Sequence, residues 1–313
     1  MKLSEIFKKQ GGVHLIKQYW RNGALFTAIC EFLLLGKSRT ALEILRLSTE
    51  LKTQQNLKKK YGSFLEYKVS NFKKKKEEMG NKVWFCWYQG IESAPPIVKK
   101  CYESAKKAYK GKKEVVLITE KNYKSYIEFP DYIQKKIDNG LITKTHLSDL
   151  IRLELLINYG GIWTDATVYY SDEVPDYILK SKLFLYQCLK PGRDGHSTVM
   201  SSWFISSFSN NKILILVRDL LYKYWEENTD LVDYFLLHDF FQLAIEACPD
   251  EWKAVIPSDN ATPHMLLLRL FDEYDPDIWK GILSQTSIHK LTYKFDNNQT
   301  KMDNTFYSKV MNS

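Results

Sequence analysis

The spacing of hydrophobic and polar residues changes near residue 80 of the 313-residue chain. Before that point, apolar residues recur every three or four positions, which predicts three helices, at Leu3–Tyr19, Gly23–Leu35 and from Arg39 to Lys60 or beyond. Gly36 and Gly62 punctuate these helices. After residue 80, short β-branched and aromatic runs alternate with helical stretches, an order typical of an α/β fold with a largely parallel sheet.

This change divides the chain into a helical N-terminal region, residues 1–80, and an α/β domain, residues 81–313. In the second part the pattern predicts strands at Lys82–Tyr88, Val115–Thr119 and Ile162–Thr164, and a further strand around Trp203. The predicted helices are Ile97–Tyr109, Asp131–Asp138, His146–Tyr159, Lys212–Glu226, Val232–Ala247 and His264–Phe271.

The segment His146–Tyr170 carries the most informative pattern of the chain. Its first half has a helical stripe of leucine and isoleucine, with Thr145 or Ser148 available as the N-cap. Gly160 and Gly161 then end the helix, because glycine readily adopts the left-handed conformation that closes one. The β-favouring run that follows predicts a buried strand that ends in a carboxylate.

That carboxylate is Asp165, and an ionised group at the exit of a buried strand requires a partner or a ligand. Asp149 and Arg152 lie three residues apart, so they project from the same side of the preceding helix. Two interpretations stay open. The pair could form a purely local ion pair, or it could join Asp165 in a polar cluster.

The ends of the predicted strands indicate where a ligand would bind, because open parallel sheets bind ligands beyond the carboxyl ends of their strands. These ends are Gln89-Gly90, Thr119-Glu120 and residues 165–167. No G-x-G-x-x-G follows the first strand and no P-loop is present, so a nucleotide must be held by other means. Trp87, Tyr88 and Gln89 offer an aromatic face and an amide edge for a base, although such residues are core about equally often.

The formal net charge of +8 is concentrated at the N-terminal end. Residues 1–80 contain 17 Lys and Arg against 7 acidic residues, a net charge of +10, and the other 28 basic and 30 acidic residues give −2. The densest clusters are Lys58–Lys60 and Lys73–Lys76, interleaved with aromatic residues. A solvated helix face, an anionic membrane surface and nucleic acid could each explain them. No nucleic-acid module is recognisable, so we expect no nucleic-acid partner and predict docking on an anionic membrane.

The cysteines and the apolar segments indicate the cellular compartment in which we expect the protein. Five cysteines are scattered without a C-x-x-C pair, which fits a reducing cytosol better than a disulfide framework or a zinc ribbon. No signal peptide opens the chain, and the most apolar stretch, Ala24–Leu35, is far shorter than the ~20 residues that cross a bilayer. We therefore expect a cytoplasmic protein that associates peripherally with the cytoplasmic membrane.

Together, S-D-x-x-R and G-G-I-W-x-D-A-T resemble the capsular polysaccharide synthesis proteins, relatives of the family 32 glycosyltransferases. The usual text in family 32 is G-G, an aromatic residue and D-x-D, and here Thr167 replaces the second Asp. The resemblance covers residues 81–295 and includes KVWFCWYQG. It implies a GT-A nucleotide-diphospho-sugar transferase fold, a UDP-sugar donor and transfer to a growing capsular or exopolysaccharide on a lipid-linked acceptor, with retention of the anomeric configuration.

The resemblance also implies roles for individual residues. Asp165, with the Thr167 hydroxyl, would bind Mn²⁺ or Mg²⁺, an ion that neutralises the leaving diphosphate. Arg152 would bind a phosphate or sugar hydroxyl, and Asp149 would hold Arg152 or accept from the sugar. Asp239 is a catalytic candidate because relatives carry an acidic residue near that point. The implied nucleotide-sugar site comprises Trp87, Tyr88, Gln89, Gly90, Asp149, Arg152, Gly160, Gly161 and Asp165.

Other sites and other classes of protein remain open from the residues alone. His264 and His289 could supply a late metal ligand, although a lone histidine is more often structural. A glycoside hydrolase would require a second carboxylate facing Asp165, and no such partner is evident. A non-catalytic membrane- or carbohydrate-binding protein would use the basic N-terminal region without Asp165.

Overall fold

The computed structural model describes residues 13–189, 198–296 and 298–313. Its helices are α1 (Val13–Arg21), α2 (Leu25–Leu35), α3 (Arg39–Ser70), α4 (Pro96–Ala108), α5 (Asp131–Asp138), α6 (Lys144–Tyr159), α7 (Asp176–Lys180), α8 (Lys212–Glu227), α9 (Leu236–Ala247), α10 (Pro249–Lys253), α11 (Met265–Leu268), α12 (Pro276–Gln285) and α13 (Phe306–Asn312). The strands are β1 (Lys82–Cys86), β2 (Glu114–Ile118), β3 (Gly161–Asp165), β4 (Val168–Tyr170), β5 (Leu183–Gln187), β6 (Met200–Ser207) and β7 (Ile288–Lys290).

The central sheet has five strands in the order β2-β1-β3-β6-β5. Strand β1 pairs in parallel with both β2 and β3, whereas β6 is antiparallel to β3 and to β5. Four of the five strands therefore run in one direction. The prediction of a mixed α/β fold with a mostly parallel sheet is confirmed.

Helices cover both faces of this sheet, because side chains alternate between the faces along each strand. Trp84 and Trp163 face one hydrophobic cluster, which also receives residues of α3, α6, α8 and α9. Val83, Phe85 and Ile162 face the opposite cluster, together with residues of α4, α12 and α13. The strands are consequently buried on both sides, as a layered α/β fold requires.

The N-terminal helices differ from the sequence prediction in their lengths. The part of the first predicted helix before residue 13 lies outside the described residues. Helix α3 continues through Gly62 to Ser70, so the predicted break at Gly62 is wrong. Leu57, Tyr61 and Leu65 of α3 pack in the same cluster as Trp84, and this packing offsets the cost of a helical glycine, about 1 kcal/mol.

A second, two-stranded sheet joins a late segment of the chain, β7, to the strand that directly follows Asp165, β4. Strand β4 pairs antiparallel with β7, with Val168 opposite Lys290. The Leu291 amide donates to the Thr167 carbonyl at 2.8 Å. The sequence pattern predicted neither strand, nor β5, and the predicted helix at His264–Phe271 is reduced to a short turn of helix, α11. This small sheet places residue 290 beside Asp165.

Within the described ranges, the structure contains no helix of the length and apolar character that crossing a bilayer demands.

Candidate active site

The glycine turn after α6 positions the candidate site. Helix α6 begins with Thr143, whose hydroxyl accepts from the His146 amide at 3.5 Å, so the predicted caps Thr145 and Ser148 are wrong and lie inside the helix. The helix ends at Gly160 and Gly161, with φ of 64° and 98°. Positive φ is uncommon for residues other than glycine, so the predicted turn has a conformational basis.

The two glycines are also required by close backbone packing. A Cβ on Gly161 would lie 2.2 Å from the Lys82 carbonyl oxygen, and one on Gly160 would lie 2.8 Å from that of Glu78. The Gly160 carbonyl accepts from the Trp84 indole at 2.9 Å. In this structure both glycines therefore attach the start of β3 to β1 and direct Asp165 to the far end of the sheet.

Asp165 lies among three hydrogen-bond donors. Its Oδ1 accepts from Trp163 Nε1 at 3.0 Å and lies 3.4 Å from Arg152 Nη2. Its Oδ2 lies 3.6 Å from Lys290 Nζ. The side chain is 30% exposed, so a ligand can still reach it. Two of the three donors are cations, which makes the surroundings of this carboxylate electropositive.

Arg152 connects the helix to the strand. Its Nη1 donates to Asp149 Oδ1 at 2.6 Å, and its guanidinium lies over the Trp163 ring at 4.8 Å from the centroid. The Arg152 side chain is only 4% exposed. The sequence left open a local ion pair or a polar cluster that includes Asp165. The structure shows the cluster, because Arg152 contacts both Asp149 and Asp165.

Asp149 has an unusual electrostatic environment. Burial raises the pKa of its carboxyl to about 6, although Arg152 acts in the opposite direction. His146 Nδ1 lies 3.6 Å from Asp149 Oδ2, and burial lowers the pKa of this imidazole to about 4. His146 is therefore neutral at pH 7, and the charged partner of Asp149 is Arg152. This arrangement suits Asp149 to hold the guanidinium in place.

Lys290 is a site residue that the sequence pattern did not identify. Its ammonium donates to the Thr167 hydroxyl, 123 residues earlier in the chain, and faces Asp165. Thr167 is 5% exposed. At the position where a D-x-D motif carries its second carboxylate, this chain therefore has a hydroxyl that already accepts from a lysine. No local spacing could have revealed this contact, because it depends on the pairing of β4 with β7.

The residues around Asp165 fit a divalent cation only in part. Among the described residues, no group of three or more His, Cys, Asp or Glu side chains is placed to hold a metal ion. Asp165 offers a single carboxylate, and Thr167 is engaged by Lys290. Mg²⁺ is often held by one or two carboxylates together with substrate phosphates. The site therefore fits an ion that is shared with a bound phosphate.

The two late histidines make structural contacts. His264 Nδ1 lies 2.8 Å from the Asn260 carbonyl, and His289 Nε2 lies 2.9 Å from the Ser171 hydroxyl. Burial lowers the pKa of both imidazoles, that of His289 to about 4.

The end of β1 lies next to Asp165, because Cys86 is its register partner. Burial and the Asp165 charge raise the pKa of the Cys86 thiol to about 12. Trp87 follows, edge-on to Tyr293 at 5.4 Å, and its buried indole Nε1 has no hydrogen-bond partner in the part of the chain that the structure describes. This indole N–H is therefore enclosed and unpaired among the described residues.

The remaining predicted base-binding residues line the same edge. Tyr88 lies 6.0 Å from the Tyr123 ring, and Lys144 Nζ lies 5.4 Å from the Tyr88 centroid. Gln89 is exposed, and Gly90 has φ of 88° with its amide donating to the Trp87 carbonyl at 2.9 Å. An aromatic surface with a nearby cation is thus available one strand away from Asp165.

Asp239, the other predicted acidic residue, has different surroundings. It is fully buried, and neither carboxylate oxygen has a hydrogen-bond partner among the described residues. Burial raises its pKa well above the usual value, and Asp233 and Glu50 raise it further. The preceding residue, His238, is closer to the site electrostatically. Burial, and after it the positive charge of Arg152, lowers the pKa of the His238 imidazole to about 4. A catalytic role of Asp239 stays a prediction.

Comparison with known proteins establishes the family. The sequence model described as "Capsular polysaccharide synthesis protein" matches residues 38–310, most of the chain. The chain belongs to this family. The resemblance inferred from the glycine-turn motif is thereby confirmed, whereas the relation to family 32 stays a prediction.

Two further proteins are similar to this member of the capsular polysaccharide synthesis family. O-glycosyltransferase braB of Annulohypoxylon truncatum is 26% identical over 228 residues, which are 67% of this chain and 51% of that protein. The chain thus spans about half the length of this curated relative. The solved structure of "PaToxG Glycosyltransferase" aligns with 83% of this chain and 95% of its own, at 15% identity and a TM-score of 0.37.

Proposed function

We propose that this protein is a glycosyltransferase that moves a sugar from a nucleotide-diphosphate donor, a UDP-sugar, to a growing capsular or exopolysaccharide. Membership of the capsular polysaccharide synthesis family and the similarity to a protein named an O-glycosyltransferase support the reaction class. The observation that carries the assignment to a site is the cluster of Asp165, Arg152 and Lys290. It lies at the carboxyl ends of parallel strands, where ligands bind in open α/β sheets.

The reaction class explains why cations surround this site. Transfer of the sugar leaves a nucleoside diphosphate, whose negative charge increases as the bond to the sugar breaks. Lys290 and Arg152 are within 4 Å of Asp165, so a diphosphate that reaches Asp165 meets both positive charges. Groups fixed in this way stabilise developing charge without reorganising during the reaction.

Each residue of the cluster has a separate part in this proposal. Arg152 binds a phosphate or sugar oxygen through its planar fork, and Asp149 holds that fork in position. Lys290 binds the diphosphate, and Trp87, which follows β1 beside Asp165, packs against the base. A Mn²⁺ or Mg²⁺ ion, held by Asp165 together with the donor, would supply further neutralisation of the diphosphate.

The acceptor, stereochemistry and location of the reaction are part of the same proposal. The resemblance to the capsular proteins favours a saccharide on a lipid carrier at the cytoplasmic face of the membrane, and retention of the anomeric configuration. The assignment of the α/β domain to the GT-A fold is likewise a proposal. The mostly parallel sheet, with the site at its carboxyl edge, is compatible with such a fold.

Calorimetric titration of the full chain with UDP tests the assignment. We expect UDP to bind, Mn²⁺ to strengthen the binding, and Lys290→Met to weaken it by about ten- to a hundredfold, since one charge-assisted contact contributes roughly 1.5–3 kcal/mol. Lys294→Met is the matched control, because Lys294 is exposed and only four residues away.

A hydrolysis screen across nucleotide sugars would then identify the donor. Failure of every nucleoside diphosphate to bind would contradict the transferase proposal. Equal losses in the Lys290 and Lys294 variants would contradict the specific role of Lys290.

A further inference from the structure

Helix α2 exposes its largest apolar side chains. Phe26, Leu33 and Leu34 are 78%, 76% and 81% exposed, whereas Ala28 is the buried residue of this helix. A helix on the surface of a globular protein normally turns its apolar stripe toward the core. Here the bulky residues face outward and the small one faces inward, so the folding of this chain does not account for the outward stripe.

The exposed residues of α2 share one side of the helix. Phe26, Ile29 and Leu33 are spaced by three and four positions, which places them one above the other. In α1, Trp20 is 74% exposed, and Ile16, one turn earlier, is 43% exposed. Large exposed apolar side chains in two consecutive helices are typical of an interaction site in soluble proteins. We call Trp20, Phe26, Ile29, Leu33 and Leu34 the apolar face.

The next helix repeats the feature at lower exposure. Ile44, Leu47 and Leu51 of α3 lie on one side of that helix and are 39–45% exposed. The core of α3 is formed by a different set of residues, including Leu57 and Leu65. The outward apolar residues of α1, α2 and α3 therefore lie in three consecutive helices, all in the first 52 residues of the chain.

The charges near the apolar face indicate what kind of partner would contact it. Residues 13–52 contain six basic side chains and three acidic ones. The basic ones are Lys17, Arg21, Lys37, Arg39, Arg46 and Lys52, and of these Arg21 pairs with Asp230 at 3.1 Å. Helices that lie in the interface of an anionic bilayer typically combine outward leucine and phenylalanine, an exposed tryptophan and an excess of Lys and Arg. Residues 13–52 have all of these features. A second copy of the chain would bring the same positive charges together.

The structure pairs three of the seven clustered lysines with carboxylates of the protein itself. Lys58 pairs with Glu246 at 2.6 Å, and Lys60 lies 3.4 Å from Glu227. Lys76 pairs with Glu78. Carboxylates of the protein itself therefore neutralise part of the charge that the sequence pattern assigned to membrane attachment. The apolar side chains of α1 and α2 that are more than 70% exposed, Trp20, Phe26, Leu33 and Leu34, offer a contact that does not depend on these lysines.

We propose that helices α1 and α2 insert the apolar face into the interface of an anionic bilayer, with the neighbouring Lys and Arg side chains on the lipid headgroups. The helices would lie in the membrane surface and not cross it. This surface extends the proposed membrane location by naming the residues that insert. It does not depend on the identity of the donor or the acceptor.

Sedimentation of the full chain with lipid vesicles tests the proposal. We expect binding to vesicles of equimolar phosphatidylcholine and phosphatidylglycerol, and weak binding to phosphatidylcholine alone. The triple variant Phe26→Ser, Leu33→Ser, Leu34→Ser should bind about tenfold more weakly or worse, since burial of each such side chain is worth roughly 1.5–3 kcal/mol. Leu268→Ser is the matched control, because Leu268 is 71% exposed in α11.

Tryptophan fluorescence supplies an independent measurement of insertion. Brominated lipids should quench the wild-type protein, and Trp20→Phe should remove most of this quenching although seven other tryptophans remain of the eight in the chain. Titration with UDP should give the same affinity for the triple variant and the wild type. This separates a failure of the membrane proposal from a failure of the transferase proposal.

Three results would overturn the inference. Wild-type protein that sediments no more with anionic vesicles than in the absence of vesicles would exclude the bilayer as the occupant. Equal binding by the triple variant would exclude the apolar face as the contact. A concentration-dependent dimer of the wild type that the triple variant abolishes, without vesicle binding, would instead assign the face to a second copy of the chain.

Discussion

Two carboxylates in this protein, one partly exposed and one fully buried, have opposite surroundings. Asp165 lies at the end of β3 with the Trp163 indole, Arg152 and Lys290 around it. Asp239 lies inside α9, fully buried and without a hydrogen-bond partner among the described residues. Burial without a hydrogen-bond partner favours the protonated form of a carboxyl, and burial raises the pKa of Asp239 well above its usual value.

The comparison shows how to separate a candidate catalytic acid from a merely buried one. An acid that acts on a ligand must be reachable and must keep groups that also contact the ligand. Asp165 meets both conditions, being 30% exposed and surrounded by cations. Asp239 meets neither, and the negative charges of Asp233 and Glu50 raise its pKa further. We therefore expect substitutions at the two positions to have different effects.

The largest effect should come from removing the turn that places Asp165. Gly161→Ala puts a Cβ at 2.2 Å from the Lys82 carbonyl, a backbone atom that cannot move away cheaply, at φ of 98°. We expect little folded protein. Gly111→Ala is the control, because Gly111 has φ of 75° but open space around it.

Thermal unfolding followed by circular dichroism measures both variants. Backbone strain alone should lower the melting temperature of Gly111→Ala by a few degrees, roughly 1–2 kcal/mol. A Gly161→Ala protein that melts at the same temperature as Gly111→Ala would show that the turn tolerates a side chain and does not hold β3 against β1.

Asp165→Asn should abolish transfer while the protein stays folded. The change keeps the shape of the side chain and removes its charge, so we expect the rate to fall about a hundredfold or more, roughly 3 kcal/mol of barrier. The rate of nucleotide-sugar turnover and the melting temperature should be measured together. Activity within a few-fold of the wild type would contradict the assignment of Asp165.

Asp239→Asn should instead change stability and its dependence on pH. The folded pKa of Asp239 is raised above the usual 3.8, so the folded state binds this proton more tightly than the unfolded state. The stability that depends on this proton is present at low pH and is lost as pH rises from about 3.8 through the folded pKa.

Asparagine cannot ionise, so Asp239→Asn should be more stable than the wild type at pH 7, by roughly 1–3 kcal/mol. The difference should vanish near pH 4. Urea unfolding at several pH values measures it, and activity should remain within a few-fold of the wild type. A loss of activity as large as that of Asp165→Asn would make Asp239 a catalytic residue after all.

The smallest expected effect concerns the residue that replaces the second carboxylate. Thr167→Asp alone should change Mn²⁺ affinity, measured without nucleotide, less than about threefold, because Lys290 already contacts position 167 and would pair with the new carboxylate. The double variant Thr167→Asp, Lys290→Met should bind Mn²⁺ several-fold more tightly, since two unpaired carboxylates would then face the ion. Equal affinities of the single and double variants would show that Lys290 does not compete with a cation.

Local patterns predicted the part of the site that lies in one stretch of chain. The helix, the glycine pair and the strand that ends at Asp165 follow from helical periodicity, from positive φ and from β-branched residues, all of which are properties of near neighbours. The pair of Asp149 and Arg152 was visible for the same reason. Whether it was local or part of a cluster was not visible, because the position of Asp165 relative to α6 depends on the packing of the sheet.

The break expected at Gly62 shows the opposite case. Glycine weakens an isolated helix, and that intrinsic tendency was the only information in the local pattern. In the folded protein Tyr61 and Leu65 of α3 are buried on either side of Gly62, and the helix continues. Burial of Tyr61 and Leu65 stabilises α3 and offsets the helix-weakening effect of Gly62.

The sequence by itself determined the class of fold, the helix-turn-strand unit and Asp165, because each depends on interactions between residues close together in the chain. Only the tertiary structure decided that Lys290 lies beside Asp165 and Thr167 and that the Asp239 carboxyl is enclosed without a hydrogen-bond partner among the residues that the structure describes. It also decided that the apolar residues of α2 face outward. These facts depend on which segments pair and pack across long separations, and no periodicity in a single sequence records such pairing.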